Sequence, residues 1–590
     1  MACRESGASA PNTLKRTYLY GAIFAVPLVL ALTAAPGAEG QSVRTASLPP
    51  PDSMIDTSGL PTVLAADDAL HYQRIFAMQH AGSWAAADHE ASLLKDRLLM
   101  GEILAQRYLH RGYVASYSEL AEWLRFYADE PNARAIYALA TKRHPAGAPA
   151  PMRPTNTEAP LRFATPEAIE FGATSDISVR GGTASLQQLS DPFGAKATAR
   201  SPLAALPFQP GNIDADGQPL ALEVIQGSER GGADWEAGLA AWRGERYGEA
   251  SQHFERAARI AGASSGQVAA AGYWAARSEL RNHHPEQVDN WLGIAAGHPH
   301  TFYGLLARRT LGIDPAFNFD TGPLSEESSQ LLRGTVPGRR ALALIQVGSA
   351  AAAEAILRQM VAGHSDSATL RAVEGLADRA GMPALSFQLA NLSARSDPAA
   401  RDRAMFPVPH WAPVGGFKVD RALLFALMRQ ESQFRPEVRS ASGALGPMQI
   451  MPATARSMAR RLELSNEQRQ ELAEPAVNLA LAQEYIAQLQ ADERIGRNLL
   501  LLAAAYNSGP GPIHQWLGGE AMHRDPLLFL ESIPNRETRG FAERVLANYW
   551  IYRLRLGQPT PDLDALAAGE WPTYTALDSS GGRGPSYAKN

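Results

Sequence analysis

The sequence predicts an all-α protein that divides into several domains. Its 590 residues are too many for one hydrophobic core, on a prior of roughly one domain per 150 residues. Apolar residues recur at helical spacing, as in 98–109 and 117–128, and residues 68–143 lack the alternating pattern of a strand. The composition, 45% hydrophobic and 19% charged with a net charge of −5, is typical of globular domains and offers no basic surface for nucleic acid.

The first forty residues have the features of an export signal. Lys15 and Arg16 precede an apolar run at 17–35, and small residues follow before Gln41. We expect the mature chain to begin near Gln41. A permanent membrane anchor is the alternative, because the run is nearly long enough to span a bilayer. Cys3, the only cysteine, precedes the run, so the mature chain is expected to have no disulfide, thiol nucleophile or cysteine-bound metal.

Composition divides the rest of the chain into helical and non-helical segments. Two helical stretches flank a Pro- and Gly-rich segment that we interpret as a loop-rich insertion. Repeated helix pairs with aromatic wedges favour a superhelical array of the tetratricopeptide sort. The predicted boundaries are signal 1–40, polar linker 41–67, first superhelical part 68–143, insertion 144–232, second superhelical part 233–400, C-terminal domain 408–560 and a partly disordered tail 561–590.

Two patterns within the array imitate functional motifs but lack the structural context that these motifs need. GASSG at 262–266 fits G-x-S-x-G, but it lies between two predicted helices where that motif requires a preceding strand, so we do not predict Ser264 to be a nucleophile. Four histidines in helix connections have no ligand-type neighbours: His283, His284, His298 and His300. We therefore predict neither a metal nor a cofactor.

A glutamate at the end of an apolar helix is the strongest candidate for a catalytic group. Leu424, Leu427 and Met428 define a buried stripe, and Glu431 takes the next position on it. Desolvation, the negative end of the helix dipole and the lack of an obvious cation on that face are expected to raise its pKa. A glutamate protonated near neutral pH is a general acid. The alternative is a helix-terminal side chain that simply reaches solvent.

A glycine-punctuated loop follows this helix. Gly443 and Gly446 predict a tight turn or a close approach of the backbone to a ligand, just before a helix that Pro452 can begin. Met448 offers a flexible apolar wall and Gln449 an amide, a combination suited to a sugar ring with its N-acetyl group.

Two later helices present further polar groups. Tyr506 and Asn507 end an Ala- and Leu-rich helix that Gly509 stops, which places a hydroxyl and an amide at a helix end. Glu537 lies in the opening turn of a later helix, and Tyr552 lies further along it. Glu537 has an alternative interpretation as an ordinary charged residue at a helix N-terminus.

Four motifs, in this order, resemble those of the soluble lytic transglycosylases. They are ES-x-F at 431–434, S-x-S-G-A-x-G-x-M-Q-I-M-P at 440–452, AYN-x-G-P-G at 505–511 and ESIP-x-x-ETRG at 531–540. The resemblance covers roughly residues 408–555. It implies a lysozyme-like α-helical catalytic domain that follows a ring-forming array of helices.

The resemblance implies a periplasmic enzyme that acts on peptidoglycan glycan strands. The family cleaves the β-1,4 bond between N-acetylmuramic acid and N-acetylglucosamine, and the muramyl C6 hydroxyl attacks to leave a 1,6-anhydromuramyl end. Glu431 would act first as general acid and then as general base. The residues that would bind the sugar or orient the acid are Ser432, Met448, Gln449, Tyr506, Asn507, Glu537 and Tyr552. We expect a monomer whose superhelix is open to cell-wall protein partners.

Two alternatives remain at the level of sequence. A lysozyme-type muramidase would use the same acid with a second carboxylate to hold water, and Glu437, Glu463, Glu471 and Glu474 are candidates for that role. A non-enzymatic glycan-binding scaffold is the other alternative, because helical arrays commonly bind other molecules.

Overall fold

The computed structural model describes residues 59–155 and 222–578, with short gaps at 315–316, 320–323, 363–365, 393–397, 466–470 and 519–524. The predicted export signal, nearly all of the linker and most of the insertion lie outside the described residues. Within them, no helix combines the length and the apolar character needed to cross a membrane.

Helices account for the regular structure of the described residues, apart from isolated β-bridges, so the all-α prediction is confirmed. The N-terminal helices are α1 Ala66–His80, α2 Trp84–Ser92, α3 Met100–Leu109, α4 Tyr117–Tyr127 and α5 Ala133–Lys142. The central helices are α6 Leu222–Arg243, α7 Tyr247–Ala258, α8 Ser265–Arg281, α9 Val288–Ala296, α10 Phe302–Thr310, α11 Glu326–Gly334, α12 Val336–Gln346, α13 Ala350–Met360, α14 Ser367–Arg379, α15 Pro383–Leu392 and α16 Pro398–Met405. The C-terminal helices are α17 Arg421–Ser432, α18 Pro452–Arg461, α19 Pro475–Gln490, α20 Leu499–Ser508, α21 Pro510–Trp516, α22 Pro526–Ser532, α23 Arg536–Arg555 and α24 Pro561–Ala567.

Local signals explain where several of these helices begin. Ser264 precedes α8, and its hydroxyl oxygen accepts a hydrogen bond from the Gln267 backbone N–H while the Gln267 side chain reaches back to the Ser264 N–H. This reciprocal pair satisfies two donors that a helix start leaves unpaired. Gly262, two residues before Ser264, adopts a φ of +80°. Ser264 is therefore the N-cap of α8.

Aromatic wedges fill the core of the array between α6 and α8. Trp242 and Trp274 meet edge to face with ring centroids 5.1 Å apart, and Phe254 lies 5.8 Å from Trp274. Phe254 and Trp274 are fully buried. These large rings contribute the buried apolar area that short helices need to remain folded.

The core of the array continues into the C-terminal helices without a break. One cluster of buried residues runs from Leu239 in α6 to Leu566 in α24. Phe302 of α10 stacks on Trp550 of α23 with ring centroids 5.3 Å apart, and the Tyr303 hydroxyl donates to the Glu531 carboxylate of α22. The second part of the array therefore supports the C-terminal helices directly.

Two predicted boundaries differ from the structure. Helix α6 begins at Leu222, ahead of the predicted end of the insertion at 232, because the intervening residues include good helix formers. The predicted C-terminal domain ends at 560, but ordered structure continues through 561–578: α24 is followed by a segment whose Leu577 and Asp578 N–H groups donate to the Asp420 carboxylate at 2.8 and 3.0 Å. The segment is held because the Asp420 carboxylate is buried and makes no hydrogen bond to the first turn of α17, so it takes these N–H groups as donors.

A buried ion pair fixes α23 against the start of α17. Arg553 has no exposed side-chain surface, and its guanidinium lies 3.0 Å from the Asp420 carboxylate, which is 1% exposed. Arg553 also donates to the Tyr549 hydroxyl at 2.8 Å. Removal of one partner would leave the other charge buried without its counter-ion, which is costly.

We predict that Asp420→Ala lowers the free energy of unfolding by about 3–5 kcal/mol, because Arg553 stays buried without its carboxylate. Urea-induced unfolding followed by circular dichroism measures the change. The matched control is Glu249→Gln, which breaks an exposed pair with Arg246 and is expected to change stability by less than about 1 kcal/mol. Equal effects of the two substitutions would contradict the prediction.

Candidate active site

The candidate acid lies in the last turn of α17. Residues Ala422 to Met428 of this helix are all buried, and Glu431 is partly exposed at the edge of the same core. Gln433 and Phe434 then take left-handed φ values of 53° and 63°, which reverse the chain at once. Such φ values are unfavourable for residues other than glycine. Burial of the Phe434 side chain in the core compensates for this backbone strain. The helix is therefore forced to end where Glu431 meets the surface.

Burial raises the pKa of Glu431 to about 8, and the negative charge of Glu537 contributes to the rise. The predicted rise in the pKa of Glu431 and its cause, desolvation, are confirmed, while the contribution of the Glu537 charge was not anticipated. Among the described residues, no side chain or backbone N–H donates a hydrogen bond to the Glu431 carboxyl that would favour its ionised form. The carboxyl is therefore mainly protonated at neutral pH and can donate a proton.

The loop 438–450 is held next to Glu431 by side chains from three helices. The Ser432 hydroxyl donates to the Pro447 carbonyl at 2.7 Å, and the Tyr506 hydroxyl donates to the Met448 carbonyl at 2.9 Å. Asn478 of α19 accepts from the Met448 N–H at 2.8 Å. The amide nitrogen of Asn478 also donates to the Leu445 carbonyl at 3.0 Å. The loop is thus fixed by buried hydrogen bonds.

Gly446 shows why the sequence needs a glycine in this loop. Its φ is +76°, and a Cβ atom there would lie 2.5 Å from the Asn478 amide nitrogen. The close approach at Gly446 is therefore to the protein's own Asn478 and not to a ligand, and the sequence analysis missed Asn478. The sequence feature that could have indicated this role is the single asparagine within the otherwise apolar first turns of α19.

Met448 and Gln449 do not both have the roles that the sequence analysis assigned to them. Met448 has no exposed surface, so its side chain packs in the core and does not form a wall for a ligand. The Gln449 amide nitrogen donates to the Val438 and Gly446 carbonyls at 3.0 and 2.8 Å. The loop therefore uses the donor end of this amide, and only the oxygen end remains for a ligand.

Tyr506 and Asn507 connect the loop to the helix that carries Glu537. Burial and the charge of Glu431 raise the pKa of Tyr506, so its hydroxyl stays protonated and continues to donate. The Thr538 hydroxyl donates to the Asn507 side-chain oxygen at 2.7 Å. Glu537 is exposed in the same first turn of α23. This bond therefore holds the turn that brings the Glu537 charge towards Glu431.

Tyr552 does not line an open groove. It has no exposed surface, its hydroxyl donates to the Pro407 carbonyl at 3.0 Å, and its ring packs 5.6 Å from the Phe425 ring. The helical spacing that placed Tyr552 on α23 did not reveal which face of the helix it occupies. Its contacts are those of a core residue.

Two of the four histidines in the helix connections have carboxylate partners, which the sequence analysis did not anticipate. His300 lies 2.8 Å from the Asp402 carboxylate, and His284 lies 2.9 Å from the Glu279 carboxylate. No cluster of three or more potential ligands that could hold a metal ion occurs among the described residues.

The fold and the site define a class of protein: an all-α chain with a helical array and a protonated carboxyl, at the end of a buried helix, that can act in acid–base chemistry. Residues 414–526 match the sequence model of the Transglycosylase SLT domain family. The resemblance predicted from the four motifs is thus confirmed for this part of the chain.

Two curated relatives are similar to this part of the chain. The soluble lytic murein transglycosylase of Salmonella typhimurium is 38% identical over 144 residues, which are 24% of this chain and 22% of that protein. The soluble lytic murein transglycosylase of Escherichia coli strain K12 is 36% identical over 158 residues, 26% of this chain and 24% of that protein. The alignments therefore span about a quarter of the length of these relatives.

A solved structure is similar over a longer range but at low identity. The 70 kDa soluble lytic transglycosylase from Escherichia coli is 18% identical, with 86% of this chain and 73% of that chain covered and a TM-score of 0.46.

We predict that Glu431→Gln stabilises the protein at alkaline pH. Unfolding would return the carboxyl from a pKa of about 8 to about 4.5, so the wild type loses stability as pH rises from 4.5 to 8. A neutral glutamine avoids this loss. The variant should therefore match the wild type at pH 4 and exceed its free energy of unfolding by about 1–3 kcal/mol at pH 8.5.

Urea unfolding at both pH values measures this difference. Glu437→Gln, on an exposed residue of the following loop, is the matched control and should show no such pH dependence. A stability difference that is the same at pH 4 and pH 8.5 would exclude a raised pKa for Glu431.

Proposed function

We propose that the chain is a peptidoglycan lytic transglycosylase. The observation that carries the proposal is the protonated Glu431 carboxyl at the end of a buried helix, within a segment that matches the Transglycosylase SLT domain. The proposed substrate is the glycan strand, cleaved between N-acetylmuramic acid and N-acetylglucosamine. The proposed catalytic domain is 408–560, supported by the helices of 68–143 and 233–400.

Glu431 takes both proton-transfer steps in this proposal. Its carboxyl donates a proton to the glycosidic oxygen as the bond from that oxygen to the muramyl C1 breaks. The resulting carboxylate then accepts the proton of the muramyl C6 hydroxyl as O6 bonds to C1. The products are a free hydroxyl on N-acetylglucosamine and a 1,6-anhydromuramyl end, and Glu431 is again protonated.

The remaining site residues divide into positioning and binding groups. Ser432 and Tyr506 position the loop through backbone carbonyls. The oxygen of the Gln449 amide, the Asn507 amide and Glu537 are the proposed contacts for the sugar. The proposal places the enzyme at the cell wall in the periplasm, with the export signal as the means of delivery.

The muramidase alternative would require a second carboxylate close to Glu431. Of the four carboxylates considered from the sequence, Glu474 is used as the cap of α19, where it accepts from the Val477 N–H at 3.0 Å. The carboxylate whose charge acts on Glu431 is instead that of Glu537. Glu537 therefore joins Glu437, Glu463 and Glu471 as a candidate for the second carboxylate of a water-dependent reaction.

We predict that the chain releases muropeptides with 1,6-anhydromuramyl ends from purified peptidoglycan, as measured by mass spectrometry. Glu431→Gln should lower the rate by about a hundredfold or more, which is the scale of losing general acid–base assistance. The matched control Glu249→Gln, on an exposed residue of the array, should retain the wild-type rate. Reducing ends in place of anhydro ends would favour the muramidase, and binding to the sacculus without any release would favour the scaffold.

We predict that the cleavage rate falls as pH rises through about 8, because Glu431 must carry its proton to act as the acid. In Glu537→Gln the loss of a nearby negative charge should lower the pKa of Glu431, so the decline should begin at a lower pH. The pH profile of kcat/KM for both proteins measures the shift. An alkaline limb that stays in place in Glu537→Gln would contradict the proposed role of this charge.

A further inference from the structure

Two consecutive residues with left-handed backbone stand where α17 ends. Gln433 and Phe434 have φ values of 53° and 63°, and neither is a glycine. Such conformations persist only where the surrounding structure holds them. They lie two and three residues after Glu431, so the contacts that hold them also fix the end of the helix that carries the acid.

The backbone hydrogen bonds of this turn are long. The Gln433 N–H donates to the Arg429 carbonyl and the Arg435 N–H donates to the Ser432 carbonyl, both at 3.2 Å. This distance is at the upper end of the usual range of about 2.7–3.2 Å. Side-chain packing must therefore supply much of what holds the two left-handed residues in place.

The side chain of Phe434 packs against the helical array. It has no exposed surface, and its ring centroid lies 6.4 Å from that of Phe387, with the two planes at 64°. Edge-to-face contacts of this kind form with centroids about 4.5–7 Å apart. Phe387 belongs to α15 and is itself buried. A residue of the array therefore covers the ring whose own backbone is left-handed.

Phe387 also contacts the last turns of α17 through a buried arginine. The Arg429 guanidinium lies 4.9 Å from the centroid of the Phe387 ring and 4.4 Å from that of Phe406, which follows α16. Arg429 is buried, and cation–π contacts are stronger where the cation is desolvated. Phe387 thus contacts one side chain before Glu431 in the sequence, Arg429, and one after it, Phe434.

The environment of Glu431 depends on the packing of this turn. Burial is the main cause of its raised pKa, and the charge of Glu537 on α23 is the second cause. Tyr506 on α20 also interacts with the Glu431 charge. A looser turn would move the carboxyl and admit water to it, which weakens both proton transfer and desolvation.

We propose that Phe387 is a positioning residue for the proposed reaction, and that it holds Glu431 at the end of α17 through its contacts with Phe434 and Arg429. The proposal rests on the proposed function, because it concerns the chemistry of Glu431. Phe387 lies outside residues 414–526, which match the Transglycosylase SLT domain. The array is then a part of the catalytic apparatus as well as a support for it.

Phe387→Leu in the full chain tests the proposal. We expect kcat for muropeptide release to fall by about tenfold, within the loss that a misplacement of about 1 Å can cause. KM should change by less than about twofold, because the buried Phe387 side chain does not meet the sugar. The alkaline limb of the pH profile should begin at a lower pH, because water near Glu431 lowers its pKa. An unchanged kcat per folded molecule would overturn the proposal.

Phe254→Leu is the matched control. Phe254 is another buried phenylalanine of the array, and its ring centroid lies 5.3 Å from that of Trp235 and 5.8 Å from that of Trp274. The two substitutions therefore remove similar core contacts. With the folded fraction measured by circular dichroism, kcat of the control should stay within about twofold of the wild type and its alkaline limb should not move. Equal falls in kcat for the two variants would mean a merely structural role and overturn the proposal.

Two further variants test the folding of the variant and the route of the effect. Phe387→Met replaces Phe387→Leu if the latter does not fold, because methionine fills irregular space without a ring. It should show the same fall in kcat, and a wild-type kcat would overturn the proposal. In a double-mutant cycle with Phe434→Leu, the double variant should lose less than the product of the two single losses, because both act on one contact. Losses that multiply would contradict the proposed route through Phe434.

Hydrogen exchange followed by mass spectrometry gives a readout that does not require activity. Amides of the peptide 429–440 should exchange about tenfold faster in Phe387→Leu than in the wild type or in Phe254→Leu. If anhydro ends are released but exchange and kcat match those of Phe254→Leu, only the positioning proposal fails. If exchange is faster as expected but the wild type cleaves no glycan, Phe387 still holds the turn and the proposed function fails.

Discussion

The proposed chemistry depends on one constraint: the Glu431 carboxyl is held at the end of a helix whose other residues are almost entirely buried. Helix α17 packs on α23 within the core, and the left-handed backbone at Gln433 and Phe434 ends it directly after Glu431. Desolvation at this position opposes ionisation, and the Glu537 charge adds to that effect. The proton that the proposed chemistry requires is therefore retained by the packing of the core.

The surrounding structure keeps this arrangement rigid. Ser432, Asn478 and Tyr506 fix the neighbouring loop through its backbone, so the loop geometry depends on buried hydrogen bonds and much less on its own exposed side chains. The continuous core and the Asp420–Arg553 ion pair connect α17 and α23 to the array and to the C-terminal segment. A preorganised acid needs such support, because small displacements alter proton transfer strongly.

Sequence patterns predicted the parts of this structure that depend on local rules. The helical class follows from apolar spacing, and the position of Glu431 follows from its place on the stripe of α17. Asn478 and Thr538 were missed because their roles come from contacts with residues that are distant along the chain. Tyr552 was assigned to the groove by the family resemblance, and its position on α23 alone does not reveal which face meets the core. The same limit hid the ordered segment after α24, whose residues are held only by tertiary hydrogen bonds.

The most direct test of the central claim is the pKa of Glu431 itself. Glutamate labelled with ¹³C at the side-chain carboxyl can be followed by NMR from pH 4 to pH 10, with the spectrum of Glu431→Gln used to assign the signal. The account predicts a carboxyl that titrates near 8 and is protonated at neutral pH. A Glu431 signal that titrates near the ordinary value of about 4.3 would contradict it, because the side chain would then be ionised before any substrate arrives.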